Sequence, residues 1–180
     1  LPMITQENLR KLLEQTQEIA KEVGAFIRKE RQHFDVEKVE HKGFNDLVSY
    51  VDKEAERQIV EKLSEIFPEA GFITEEGTNT TKGEKYNWVI DPLDGTTNFI
   101  HGIPVFSVSI ALMEDEKVIM GVVYEVNRHE CFYAMKGGGA FCNDTPIKVS
   151  KAPDLSASLI STGFPYYNFE LIDRYLNSMK

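Results

Sequence analysis

The sequence predicts an α+β fold, and three observations carry that prediction. Two stretches near the start repeat apolar residues at three- and four-residue spacing. From Phe72 onward the period shortens, and continuous apolar runs or two-residue alternation take over. Short polar or glycine-bearing turns then separate the segments closely enough for a meandering, largely antiparallel sheet.

Residues 5–33 read as a long amphipathic helix. Thr5 can cap its start, and Leu9, Leu12, Leu13, Thr16, Ile19, Val23 and Phe26 share one face. Val36–Lys42 alternates as a short strand and is broken by Gly43-Phe44-Asn45-Asp46. A second helix covers 50–66, with Val51, Ala55, Ile59, Leu63 and Ile66 inward and Pro68 closing it. Its acids, Glu54, Glu56 and Glu61, read as a solvated face. Phe72-Ile73-Thr74 is a short strand leading to Glu75-Glu76-Gly77, and 78–85 is a polar loop. Trp88-Val89-Ile90 is a buried strand. Phe106–Leu112 alternates, and Lys117–Tyr124 follows the acidic turn Glu114-Asp115-Glu116. Strands at Glu130–Met135 and Ala140–Asn143 flank Gly137-Gly138-Gly139, and a last strand, Ile147-Lys148-Val149, follows a turn at 143–146. Leu171, Ile172, Tyr175, Leu176 and Met179 fall on one helical face at the end, leaving an apolar stripe with no following element.

The composition narrows the function classes. A chain of 180 residues with 42% hydrophobic residues, eleven Phe and seven Tyr can bury a sizeable core. The net charge is −9 with no basic block, which argues against a nucleic-acid surface. No apolar run is long enough to span a membrane, and the start shows no signal-peptide pattern. Cys131 and Cys142 lack metal-site spacing and read as small core hydrophobes of a reduced, cytoplasmic protein. The histidines His33, His41, His101 and His129 are scattered, so zinc is not indicated. An acidic protein can still take an anionic substrate if carboxylates hold hard cations between the two.

The acids converge on one stretch, Ile90-Asp91-Pro92-Leu93-Asp94-Gly95-Thr96-Thr97-Asn98-Phe99. Asp94-Gly95 between hydrophobics is by itself a hairpin signal. Glu75 and Asp91 each follow a short apolar strand. If those strands are neighbours, the two carboxylates meet at the strand ends. Alternation along a strand lets only one of Glu75 and Glu76 face such a site. Asp91-x-x-Asp94 suits a turn fixed by Pro92, with the Leu93 carbonyl able to turn inward. Carboxylates plus a main-chain carbonyl are the oxygen set that Mg²⁺ or Mn²⁺ prefers. Gly95-Thr96-Thr97-Asn98-Phe99 looks like a helix start that Asp94 can cap, with the amides of Gly95 and Thr96 available to phosphate oxygens. The plainer alternative is a capped turn whose acids merely satisfy backbone amides. Carboxylates against an apolar strand, with a second acidic pair at another strand end, tilt the balance to a cation site.

Asp91-Pro92-Leu93-Asp94-Gly95-Thr96-Thr97-Asn98-Phe99, with Glu75-Glu76 upstream, resembles the inositol monophosphatase family. Asp46-Leu47-Val48-Ser49-Tyr50-Val51-Asp52, Gly121-Val122-Val123-Tyr124, Gly137–Asn143 and Thr162-Gly163-Phe164-Pro165 agree, so the resemblance runs over nearly the whole chain. It implies a layered αβαβα sandwich, with a metal-binding α+β domain over 1–150 and the start of an incomplete second domain over 151–180. It implies Mg²⁺-dependent hydrolysis of a small phosphate monoester, foremost myo-inositol monophosphate, with Li⁺ sensitivity and a homodimer. Two or three Mg²⁺ ions are expected, Mn²⁺ being an alternative. By position, Glu75, Asp91 and the Leu93 carbonyl would hold one ion, Asp91 and Asp94 a second, and Glu75 would touch a third. Thr96 with Glu75 would orient the attacking water, Gly95 and Thr96 would hold the phosphate, and Asp52 would stand behind them. Bisphosphate nucleotidase, fructose-1,6-bisphosphatase and histidinol-phosphatase activities are the alternatives within the superfamily, and an interaction protein, weakly active or non-enzymatic, is the alternative outside it. The family's second half carries a Trp-Asp pair that completes the second metal site, and it is absent here, since the one Trp, Trp88, precedes Val89. Little turnover is therefore expected of this chain alone. Gly137-Gly138-Gly139 reads as a permissive turn, Thr162–Pro165 as a bend at the rim of the site, and Lys42 as either a phosphate neighbour or a surface lysine.

Overall fold

The computed structural model describes residues 4–34, 40–43, 46–48, 50–164 and 168–179, and among these the side chains of 40–43 and 46–48 are not described. Helix α1 (Gln6–Arg31) opens as the sequence predicts, with the Thr5 hydroxyl accepting from the Asn8 amide at 3.2 Å. Its inward stripe is Leu9, Leu12, Leu13, Thr16, Ile19, Ala20, Val23, Gly24 and Ile27, with Phe26 at the margin. Strands β1 (Glu40–Gly43) and β2 (Asp46–Val48) form a separate antiparallel pair. The first of these falls at the end of the expected Val36–Lys42 strand, whose residues 36–39 lie outside the described residues, as do Phe44 and Asn45 of the expected break. Helix α2 (Tyr50–Ile66) buries Val51, Ala55, Ile59 and Leu63 completely.

The remaining strands form one sheet in chain order: β3 (Gly71–Thr74), β4 (Tyr86–Asp94), β5 (Ser107–Glu114), β6 (Lys117–Glu125), β7 (Glu130–Met135), β8 (Gly139–Cys142) and β9 (Thr145–Pro146). Only β3–β4 is parallel; every later pair is antiparallel. Helix α1 lies across β5, β6 and β7, while α2 lies on α1 and β4. Period-two alternation turns Val108, Ile110 and Leu112 of β5 toward these helices, as their near-complete burial shows. Trp88 at the centre of β4 is fully buried, edge-on to Phe67 at 6.5 Å. The fold is α+β: a helix layer on one face of a mixed, mostly antiparallel sheet.

Several expectations need correction. Ile147–Val149 is not a strand. The Ile147 amide still reaches the Ala140 carbonyl at 2.9 Å, but β9 is only the Thr145–Pro146 pair, and Val149 is 91% exposed. Beyond that one bond, residues 147–150 are exposed and belong to no strand. The last helix, α4 (Ile172–Asn177), is six residues long and buries none of them. Residues 147–164 are exposed throughout. The triple glycine is the turn expected of it, with φ of 78° at Gly137 and 84° at Gly139, where an L side chain would be strained. Both cysteines are free; Cys131 is buried, and burial pushes its thiol pKa up to about 11.

Candidate active site

The parallel ladder pairs Thr74 with Ile90, so β3 and β4 run out together toward Glu75 and Asp91. The two carboxyls lie close enough to interact. Burial is the first cause that raises the Asp91 pKa, followed by that contact, the Glu75 charge and the Asp94 charge, and together they push it up to about 8. The Leu93 amide opposes the shift by donating to Asp91 Oδ1 at 3.2 Å. That bond is an Asx turn, so the plainer alternative of an acid satisfying a nearby amide is true of one Asp91 oxygen.

The backbone between the two aspartates is a β-bulge. Asp91 faces Ser109 and Asp94 faces Ser107, so β4 has one residue more than β5 across this step. Pro92 falls inside the bulge, where its missing N–H costs the ladder nothing. Leu93 points into the core at 1% exposure, and its carbonyl stands 3.0 Å from Thr96 Oγ1. The same hydroxyl lies 2.8 Å from Oδ1 of Asp52, itself a buried residue of α2. Helix α3 (Thr96–His101) begins at once, but Asp94 does not cap it. The N-cap is Gly95, with φ 100° and no side-chain bond. A Cβ there would stand 3.0 Å from the Val105 carbonyl and 3.2 Å from Phe106 Cβ, so both conformation and space demand glycine. The hairpin signal of Asp94-Gly95 is thus overridden: the chain passes from bulge to helix.

Glu75 is exposed and Glu76 half-buried, and both lie in the bend just beyond β3, so strand alternation does not govern them. The residue that sequence reasoning missed is Glu56. It is completely buried, not solvated. Its Oε2 accepts from the Glu76 amide at 2.7 Å, and its Oε1 accepts from the Thr78 amide at 2.8 Å and the Thr78 hydroxyl at 2.7 Å. A signal existed: Asp52 and Glu56 are four apart, each one position after a core residue, on a helix whose apolar stripe is wide.

The donor set fits a hard cation. Glu75, Asp91 and the Leu93 carbonyl are all oxygen donors, and the raised Asp91 pKa reflects burial first and then the neighbouring Glu75 and Asp94 charges, which a divalent ion would offset. Among the described residues, no three acid, His or Cys side chains stand ready around one point. Asp94 is exposed, and its Oδ2 is 3.4 Å from Ser107 Oγ, so it must turn to join the others. His33, His101 and His129 are exposed and form no cluster with them. Lys42 and His41 lie outside the residues whose side chains are described, and Pro165 outside the described residues; Thr162, Gly163 and Phe164 are exposed. No helix in the described residues is long and apolar enough to cross a membrane.

Known proteins share the sequence pattern and the fold. The profile of the inositol monophosphatase family matches residues 8–176. A putative Nus factor SuhB of Neisseria meningitidis is 38% identical over 162 residues, which are 89% of this chain and 62% of the relative. A fructose-1,6-bisphosphatase/inositol-1-monophosphatase of Aquifex aeolicus is 38% identical over 97% of this chain and 66% of its own length. Among solved structures, the extragenic suppressor protein suhB of Bartonella henselae superposes with a TM-score of 0.74 at 38% identity, over 78% of this chain and 55% of that one. The Thermotoga maritima IMPase gives 0.72 at 40% identity, over 77% and 54%. The chain thus spans roughly six tenths of the length of the curated relatives it matches. On profile, identity and fold alike, this chain belongs to the inositol monophosphatase family.

Proposed function

We propose that the β3–β4 end of the sheet is the metal- and water-binding half of a Mg²⁺-dependent phosphomonoesterase. One observation carries this reading: Glu75 and Asp91 meet at parallel strand ends beside a threonine hydroxyl held between a buried aspartate and the Leu93 carbonyl.

Glu75, Asp91 and the Leu93 carbonyl would hold one ion, and Asp94, once turned from Ser107, would share another with Asp91. Such ions, Mg²⁺ or Mn²⁺, acidify water and offset charge on a leaving oxygen when bound. The chain's own part is positional. Asp52 is a natural acceptor for the Thr96 hydrogen, which leaves an Oγ1 lone pair directed at the proton of an incoming water. Glu75, exposed and adjacent, takes the second position around that water. The amides of Gly95 and Thr96 open α3 without carbonyl partners inside the helix, and they would face the phosphate oxygens.

Within phosphate monoesters we propose myo-inositol monophosphate, in line with the family, with fructose 1,6-bisphosphate the other substrate for which the Aquifex relative is named. Phosphate release from myo-inositol 1-phosphate, fructose 1,6-bisphosphate, a nucleoside 3′,5′-bisphosphate and histidinol phosphate ranks these substrates directly. A chain extended to the relatives' length should release phosphate only with Mg²⁺, and Asp94→Asn should abolish it; release unchanged by that substitution ends the reading. Comparable turnover by the 180-residue chain would overturn the expectation that it works poorly alone. A second reading rests on the several relatives named Nus factors: the chain would act through a transcription partner, and Asp94→Asn would leave that role untouched.

A further inference from the structure

Glu56 lies outside the proposed ligand set, yet it is the most enclosed acid near the site. It is 0% exposed, and its carboxylate receives three donors, all from residues 76–78, immediately beyond Glu75. The segment it grips has no regular structure of its own, and Gly77 within it adopts φ 72°. Four residues earlier on the same face of α2, Asp52 grips Thr96. One turn of one helix therefore fastens both walls of the acid site: the loop after β3 through Glu56, and the start of α3 through Asp52.

We propose that Glu56 is a positioning residue that fixes Glu75 against Asp91 and so sets the divalent-cation affinity of the site. The inference rests on the metal reading given above. A buried carboxylate is a costly way to hold a loop, because a neutral side chain would avoid the desolvation. Its return is stiffness: two charge-assisted bonds to amides and one to a hydroxyl define the loop's height over the sheet. Without them, Glu75 would keep its chemistry but lose its address. Partners of this kind, one bond removed from a ligand, commonly change metal affinity about 10- to 100-fold when replaced.

The test uses the 180-residue chain and Mn²⁺ alone, followed by electron paramagnetic resonance of the free ion at a temperature well below unfolding. Glu56→Gln should weaken Mn²⁺ binding by about tenfold or more. In a Glu75→Gln background the same substitution should change affinity by less than about twofold, because the ligand it positions is gone. A purely structural role would lower the melting temperature and leave affinity alone, or act equally in both backgrounds; either result overturns the assignment. Should Glu56→Gln fail to fold, Thr78→Val removes a single donor from an exposed residue and should weaken Mn²⁺ binding by about threefold. Unchanged affinity in that variant also overturns the assignment. Absence of Mn²⁺ binding by the unsubstituted chain overturns the metal reading itself and this inference with it; binding that Glu56→Gln does not alter overturns the inference alone.

Discussion

The two ends of the seven-stranded sheet are held in opposite ways. At the β3–β4 end, order comes from polar groups: Asp52 on Thr96, Glu56 on residues 76 and 78, and the Asx turn of Asp91. At the β8–β9 end the ladder shrinks to two residues, and the chain continues as an exposed apolar segment. Leu155 is 77% exposed, Leu159 fully so, and Leu171 63%. The first region buries charge, which costs stability unless each oxygen is partnered. The second leaves hydrophobic area in water and gains nothing from it. The acid end accepts a thermodynamic penalty to fix atoms in place, and the far end contributes little to holding this fold together.

Four measurements test that contrast. Trp88→Ala, beneath the acid end, should cost the most, about 3–5 kcal/mol in urea unfolding, because a fully buried ring leaves a cavity. A loss under about 1 kcal/mol would mean that the core does not support the site as described. Thr96→Val should cost about 1–3 kcal/mol, since it strips a donor from buried Asp52; stability equal to wild type would show that the hydroxyl bond is idle.

The third concerns pH. The Asp91 pKa is raised by burial and by its contact with Glu75, so the folded chain holds a proton that the unfolded chain has released between about pH 4 and 8. In metal-free solution, stability from this group is therefore full below its ordinary carboxylate value and falls as pH rises toward about 8. Asp91→Asn should flatten that slope. A melting temperature that rises over the same interval, or a slope that the substitution leaves intact, would refute the electrostatic description. The smallest effect is expected at the other end: deleting 151–180 should change stability by less than about 1 kcal/mol. A loss comparable with that of Trp88→Ala would show that the exposed segment supports the sheet after all.

Much of the acid end was legible in advance, for identifiable reasons. Helical spacing placed α1 and α2 to within two residues of their ends. Two apolar runs ending in acids pointed to neighbouring strands, and the parallel β3–β4 pair meets that expectation. The bulge was not legible. Asp-x-x-Asp with Pro and Gly is compatible with a hairpin, a capped turn or a bulge, and pairing of Asp94 with Ser107 on the neighbouring strand β5 selects among them. Glu56 was misread because a charged side chain on a helix is ordinarily solvated; its partners lie twenty residues away in a loop with no pattern of its own. Ile147–Val149 misled in the other direction, because apolar character next to a turn does not make a strand without a neighbour to pair with.

The proposed hard-cation site of Glu75, Asp91 and the Leu93 carbonyl should also engage phosphate. Titration calorimetry of the 180-residue chain with Mg²⁺ or Mn²⁺, with and without inorganic phosphate, tests it most directly. Saturable cation binding is expected that tightens with phosphate, is accompanied by proton release below about pH 8, and is lost in Asp91→Asn. No binding heat, or binding that Asp91→Asn leaves unchanged, would contradict it.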